Sequence, residues 1–215
     1  MKITTVTVGP LATAVANNIA TTQTPTSAIT LNGALVANGV AVLDVPRRVL
    51  VTTTANESAK TITIVGTDGN GSPQTEIIAG PNATTGYTNI DFKTVTSMTI
   101  SSGAAGALTV GTNGVASSRW IRLDEWAPHQ TDTSVIVSGT VNYTVQQSPQ
   151  DVNNPQLNIA PYQVAWLSAS DAGLVAQTAS AVSWATYSPP WIKLTLNSGS
   201  GSATMTVVQY SSAPR

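Results

Sequence analysis

Two stretches of this chain follow one frame. Thr94–Thr112 reads TVTSMTISSGAAGALTVGT, and Ile192–Gln209 reads IKLTLNSGSGSATMTVVQ. Each joins two short runs of Thr alternating with aliphatic residues, and a Gly- and Ser-containing turn splits them. Alternation with a period of two sends successive side chains to opposite faces of a strand. Two such runs about a small-residue turn predict a β-hairpin. One hairpin closes the first half of the chain and the other closes the second. No stretch sustains the 3.6-residue period of a helix. The expected fold is therefore all-β, with two consecutive antiparallel β-sandwich (jelly-roll-like) units and an irregular N-terminal arm.

The expected units are residues 1–115, with the arm at 1–26, and residues 116–215. The boundary falls where composition changes, at Gly111–Ser118 (GTNGVASS). All five Trp lie beyond it: Trp120, Trp126, Trp166, Trp184 and Trp191. Before it the aromatic residues are Tyr87 and Phe92. The first core is thus expected to use small aliphatics and the second large rings, which bury roughly 150–250 Å² each. Residues 2–8 alternate like a strand, whereas 11–27 are small and polar. The strongest turn is Asp68-Gly69-Asn70-Gly71, where Asp and Asn tolerate the left-handed region and Gly enters it freely. Asn38-Gly39 is a second turn signal, and Pro46 is expected to end the strand before it. Val135–Val145 reads as one strand bent at Ser138-Gly139. Gln146–Pro161 is a long polar loop.

Charged residues make up 9% of the chain, against about 25% in an average domain. Net charge is −1, and no basic stripe marks a nucleic-acid surface. No run approaches the roughly 20 apolar residues of a membrane-spanning helix. The chain has no Cys, which excludes disulfides and thiolate chemistry. Nucleophile elbows, phosphate-binding glycine loops, paired His ligands and calcium loops are all missing. The expectation is a non-enzymatic protein with no cofactor, no catalytic residue and no metal site.

One cluster breaks the low-charge pattern. Arg119, Trp120, Arg122, Asp124, Glu125, Trp126, His129 and Asp132 fall within fourteen positions. Three readings apply. The cluster is a polar linker tied by Arg–carboxylate pairs, a partner-contact surface, or a metal or general-base site built on Asp124, Glu125, His129 and Asp132. Arg and Trp are favoured anchors at protein contacts. Arg119, Trp120, Arg122, Asp124, Glu125 and Trp126 are accordingly the candidate contact residues. Trp166, Trp184 and Trp191 with Tyr187 offer a sugar-stacking platform as an alternative to core packing.

Residues 61–114, TITIVGTDGNGSPQTEIIAGPNATTGYTNIDFKTVTSMTISSGAAGALTVGTNG, resemble virion structural proteins of tailed bacteriophages. The resemblance continues through VSGTVNYTVQQSPQDVNNP, VAW and WIKLTLNSGSGSATMTVVQ in the second half. It covers more than half of the chain in strand and turn patterns. It implies a decoration or cement protein that is made in the host cytoplasm and carried on the capsid surface. Such a protein binds the major capsid protein lattice as a trimer or dimer, with no nucleic acid or membrane partner. A tail or neck component and a carbohydrate-binding module on the virion are the alternatives. Under this reading the arm at Met1–Thr26 and the Gln146–Pro161 loop are contact segments. Removing residues 1–26 is then expected to leave the sandwich folded.

Overall fold

A computed structural model describes residues 1–124, 130–185 and 187–210. The chain is all-β, built from antiparallel sheets of the β-sandwich type. In chain order the strands are β1 Lys2–Val8, β2 Ala20–Gln23, β3 Ala28–Ile29, β4 Val36–Ala37, β5 Val40–Thr53, β6 Thr61–Thr67, β7 Pro73–Ala79, β8 Thr85–Tyr87, β9 Phe92–Ile100, β10 Leu108–Ser117, β11 Ile121–Arg122, β12 Thr131–Ser138, β13 Val141–Ser148, β14 Leu167–Ser168, β15 Ala181–Ala185, β16 Trp191–Gly199 and β17 Ser202–Gln209. Two compact units form. The larger joins Met1–Leu11 to Val115–Arg215, and the smaller is Ala12–Gly114.

The first eleven residues thus leave the unit in which sequence placed them. β1 pairs with β17 along its whole length, from Lys2 opposite Gln209 to Val8 opposite Ala203. Val6 and Val8 are buried in that unit's core. The rest of the expected arm is tied down as well. Ile19 N–H donates to the Val110 carbonyl at 3.0 Å, and Ile19 and Ala20 are wholly buried. Between β1 and β2 the chain is irregular, with residues 12–17 exposed, but the paired strands and buried side chains on either side mean that removing 1–26 takes away core.

In the larger unit one sheet has the order β1-β17-β12-β15. The other contains β14-β13-β16, with Ala116, Ser117 and β11 on the free side of β16. Val135, Met205 and Val207 of the first sheet and Tyr143, Val145, Leu194 and Leu196 of the second are buried. Among the described residues Tyr143 is the one fully buried ring in this core, and the described Trp rings do not fill it, contrary to expectation. Trp120, Trp166 and Trp191 are half-buried, and Trp184 is 68% exposed. Strand parity explains Trp191: it sits on the face of β16 opposite Ile192, Leu194 and Leu196.

The smaller unit carries the sheet order β10-β5-β9-β6-β7, with β2 on β10, β3 on β9, and β4 and β8 on β5. Leu43, Val49, Ile62, Ile64, Phe92 and Leu108 are among its fully buried side chains. This is the aliphatic core that the composition implied. Asn38 and Gly39, with φ of 52° and 78°, make the two-residue turn between β4 and β5. The Asp68 carboxylate accepts the N–H groups of Asn70 and Ser72, both at 2.8 Å, and so fixes the β6–β7 hairpin. Pro46 does not end a strand. β5 runs through it, and its ladder with β9 breaks between Val42 and Arg47. A residue without an N–H is tolerated at such a gap.

Neither copy of the repeated frame is a hairpin. β16 pairs with β13, while β17 pairs with β1 and β12 in the other sheet. β9 pairs with β5, β6 and β3, and not with β10. Each glycine-rich turn is therefore an arch whose two legs join different ladders. Ser138-Gly139-Thr140 is another arch, since β12 and β13 lie in different sheets. It nests against the arch at Gly199–Gly201, where Gly201 N–H donates to the Thr140 carbonyl at 2.9 Å. Gly199 has φ of +113°, and a Cβ there would stand 2.3 Å from the Thr140 carbonyl oxygen. Both conditions exclude a side chain. Gly199→Ala is expected to cost about 3 kcal/mol through backbone strain and displacement of the paired arch. Urea unfolding monitored by Trp fluorescence measures it, and a midpoint equal to wild type would contradict the nested-arch account.

Candidate contact site on the larger unit

The outer face of β16 carries Trp191, Lys193 and Thr195, and β11 adds Arg122 directly opposite Trp191. Ile121 and Leu123 are buried, so their neighbours Trp120 and Arg122 are turned to the other face. Trp120 meets Trp166 edge-on with ring centroids 4.9 Å apart and meets Trp191 at 6.0 Å. Such offset, steep ring pairs follow the quadrupole preference of aromatic rings. Three indoles from three segments thus form one aromatic cluster outside the core.

Polar groups hold the cluster in place. The Arg122 guanidinium lies 5.9 Å from the Trp191 ring and pairs with the Asp151 carboxylate at 2.8 Å. Asp151 also accepts the Trp191 indole N–H at 3.2 Å and the Asn153 N–H at 3.0 Å. Arg122 is 53% exposed, so this ion pair contributes at most about 1 kcal/mol. Lys193 differs, being 2% exposed with its ammonium 4.3 Å from the Trp166 ring centroid. A desolvated cation over an indole is worth about 2 kcal/mol. The Trp166 indole N–H is itself shielded from solvent and has no acceptor among the described residues. Chemically the arrangement is a fixed, amphipathic surface. It presents rings and one exposed guanidinium, and no nucleophile.

Of the sequence candidates, Trp120 and Arg122 enter this cluster. Arg119 is exposed beside it in sequence, with its carbonyl accepting the Ser118 hydroxyl at 2.8 Å. Asp124 is held through its backbone, which both donates to and accepts from the Gln209 side chain at 3.0 and 3.2 Å. Glu125, Trp126 and His129 lie outside the described residues. Among the described residues no group of three His, Cys, Asp or Glu side chains is placed to hold a metal ion. Asp151 comes from the expected Gln146–Pro161 contact segment and Trp166 from the expected sugar platform, whereas Lys193 was not a candidate. The signal for Lys193 was its position two residues after Trp191, on the same side of an alternating strand.

The expected sugar platform splits in two. Trp166 and Trp191 join the cluster, whereas Trp184 and Tyr187 line a separate small cleft with Thr131, Thr133, Gln147 and Ser183. In that cleft Gln147 donates to the Tyr187 hydroxyl, and Ser183 donates to the Asp171 carboxylate. The Ser183 hydroxyl, followed by the Gly173 N–H, lowers the Asp171 carboxyl below its ordinary value.

No known protein family matches the chain, and no curated protein resembles it in sequence.

Proposed function

We propose that this chain is a non-enzymatic virion structural protein, a decoration or cement protein that binds the major capsid protein lattice of a tailed phage. The observation that carries the reading is the Trp120–Trp166–Trp191 cluster with Arg122. Rings that could have served the core are instead fixed on an outer sheet face, and Trp and Arg dominate the energetic centres of protein contacts. The low charge and the phage-like strand and turn patterns support the same reading. Its mechanism is burial of this surface against capsid subunits, repeated over a lattice so that many modest contacts add avidity.

Co-sedimentation with capsids that lack the protein tests it. Wild type is expected to pellet saturably, and Trp120→Ala to weaken binding about thirtyfold, the usual effect of truncating a central Trp anchor. A wild-type protein that stays in the supernatant overturns the cement reading. A tail or neck location, or glycan binding through Trp184 and Tyr187, which are 68% and 42% exposed, would then take its place.

A further inference from the structure

Sheet edges expose unpaired N–H and C=O groups, and proteins usually protect them. Two edges here show such protection. β7 opens with Pro73 and turns the Glu76 carboxylate inward, and β14 is two residues long. β1 is protected only at its first residue, where the Lys2 ammonium donates to the Arg122 carbonyl at 3.3 Å. It is seven residues long, lacks Pro and any bulge in its register with β17, and carries one charge, Lys2, at its end. Among the described residues no strand pairs with its other side. Its outward side chains are Ile3, 56% exposed, with Thr5 and Thr7, whose hydroxyls bond Thr206 and Thr204 at 3.2 and 2.9 Å.

The sequence of β1 is complementary to itself. In an antiparallel pair centred on Thr5, Lys2 faces Val8 of a second copy, Ile3 faces Thr7, Thr4 faces Val6, and Thr5 faces Thr5. No like charges oppose. Outward residues meet outward residues, and core-side residues meet core-side residues, as the pleat requires. We propose that two copies of this chain associate across a two-fold axis through the free edge of β1, with Thr5 on the axis. The two four-stranded sheets then become one eight-stranded sheet. The pair spans about 23 Å of strand. One strand edge of that length buries less than the roughly 1,200 Å² of a stable interface, so the dimer forms at about tens of micromolar rather than nanomolar concentration. The inference selects a two-fold and not a three-fold assembly, and it stands whether or not the protein is a virion component.

The chain has no Cys, so a single introduced thiol reports on one site. Thr5→Cys is expected to give a disulfide-linked dimer of about 44 kDa under mild oxidation, twice the 22.1 kDa chain. Thr206→Cys, in the same row but one strand further in, is expected to give none. In light scattering across concentration, Thr5→Lys and Thr5→Glu should each weaken self-association at least tenfold, because like charges then meet on the axis. An equimolar mixture of the two should restore it. Both substitutions sit at an exposed position, and circular dichroism verifies the fold of each. A wild type that stays monomeric at millimolar concentration, a dimer indifferent to Thr5→Lys, or equal cross-linking at positions 5 and 206 overturns the proposal.

Discussion

Deleting residues 1–11 is expected to unfold the larger unit and spare the smaller one. Val6 and Val8 are 7% and 2% exposed, and losing two buried valines removes about 3–5 kcal/mol of burial. The deletion also strips the ladder partner from all seven residues opposite β1. The sum approaches the 5–15 kcal/mol that holds a typical domain together. Spectroscopy separates the two units cleanly, because every Trp lies after Val115. The truncated protein should show the red-shifted emission of solvated indole, together with one remaining cooperative transition in calorimetry. Native-like Trp emission at 25 °C would refute the account of β1 as core.

The second large effect is expected at Glu57. This side chain is 1% exposed, yet it is ionised. Burial pushes its carboxyl upward. The Lys60 ammonium at 2.6 Å and the N–H groups of Gly106 and Ala105 at 3.1 and 2.7 Å outweigh burial and bring it below the ordinary 4.5. Lys60 also donates to the Gly103 carbonyl. The arch between β9 and β10 is therefore organised by an acid from a different loop. Glu57→Ala leaves two backbone donors without their acceptor and the Lys60 ammonium without its counter-charge, at a cost of about 3 kcal/mol.

The pH dependence has a definite sign. A carboxyl held below its unfolded value contributes stability that is present above about pH 4.5 and is lost as pH falls through the lower folded value. The melting-temperature gap between wild type and Glu57→Ala should therefore be widest near neutrality and should narrow below pH 4. Glu76 works in the opposite sense. Burial raises its carboxyl above 4.5, although the Asn89 and Ile90 N–H groups partly offset that. Its penalty is felt at neutral pH and relieved by acid. A gap that does not change with pH would contradict the assignment of an ionised Glu57.

Thr/aliphatic alternation located β1, β9, β10, β16 and β17, because period-two patterning is a local consequence of one buried face. Asp68-Gly69-Asn70-Gly71 and Asn38-Gly39 were equally legible, since their turns are set by the residues that make them. Connectivity between ladders was not. A glycine-rich turn between two alternating runs looks the same whether its legs pair with each other or with strands elsewhere in the sequence. Gly199–Gly201 and Ser101–Ala107 are both of the second kind. On the outer face of β16, Trp120 and Arg122 stood out because charge is rare in this chain and every Trp lies in its second half. Trp166, Asp151 and Lys193 join them only through the β13–β16 ladder and the loop that follows β13. Glu57 carried no local mark, because its three donors come from residues 60, 105 and 106.

The pairing of β1 with β17 also fixes the order of events during synthesis. The ribosome makes Gln209, the partner of Lys2, some two hundred residues after Lys2. At about 5–20 residues per second, that interval is roughly 10–40 s. The smaller unit, which is continuous from Ala12 to Gly114, can complete itself while the chain is still growing. The larger unit cannot. Throughout that time the alternating Thr/Val strand lacks its ladder partner. In this design the low charge of the surface meets its severest test on the ribosome, before the native state exists.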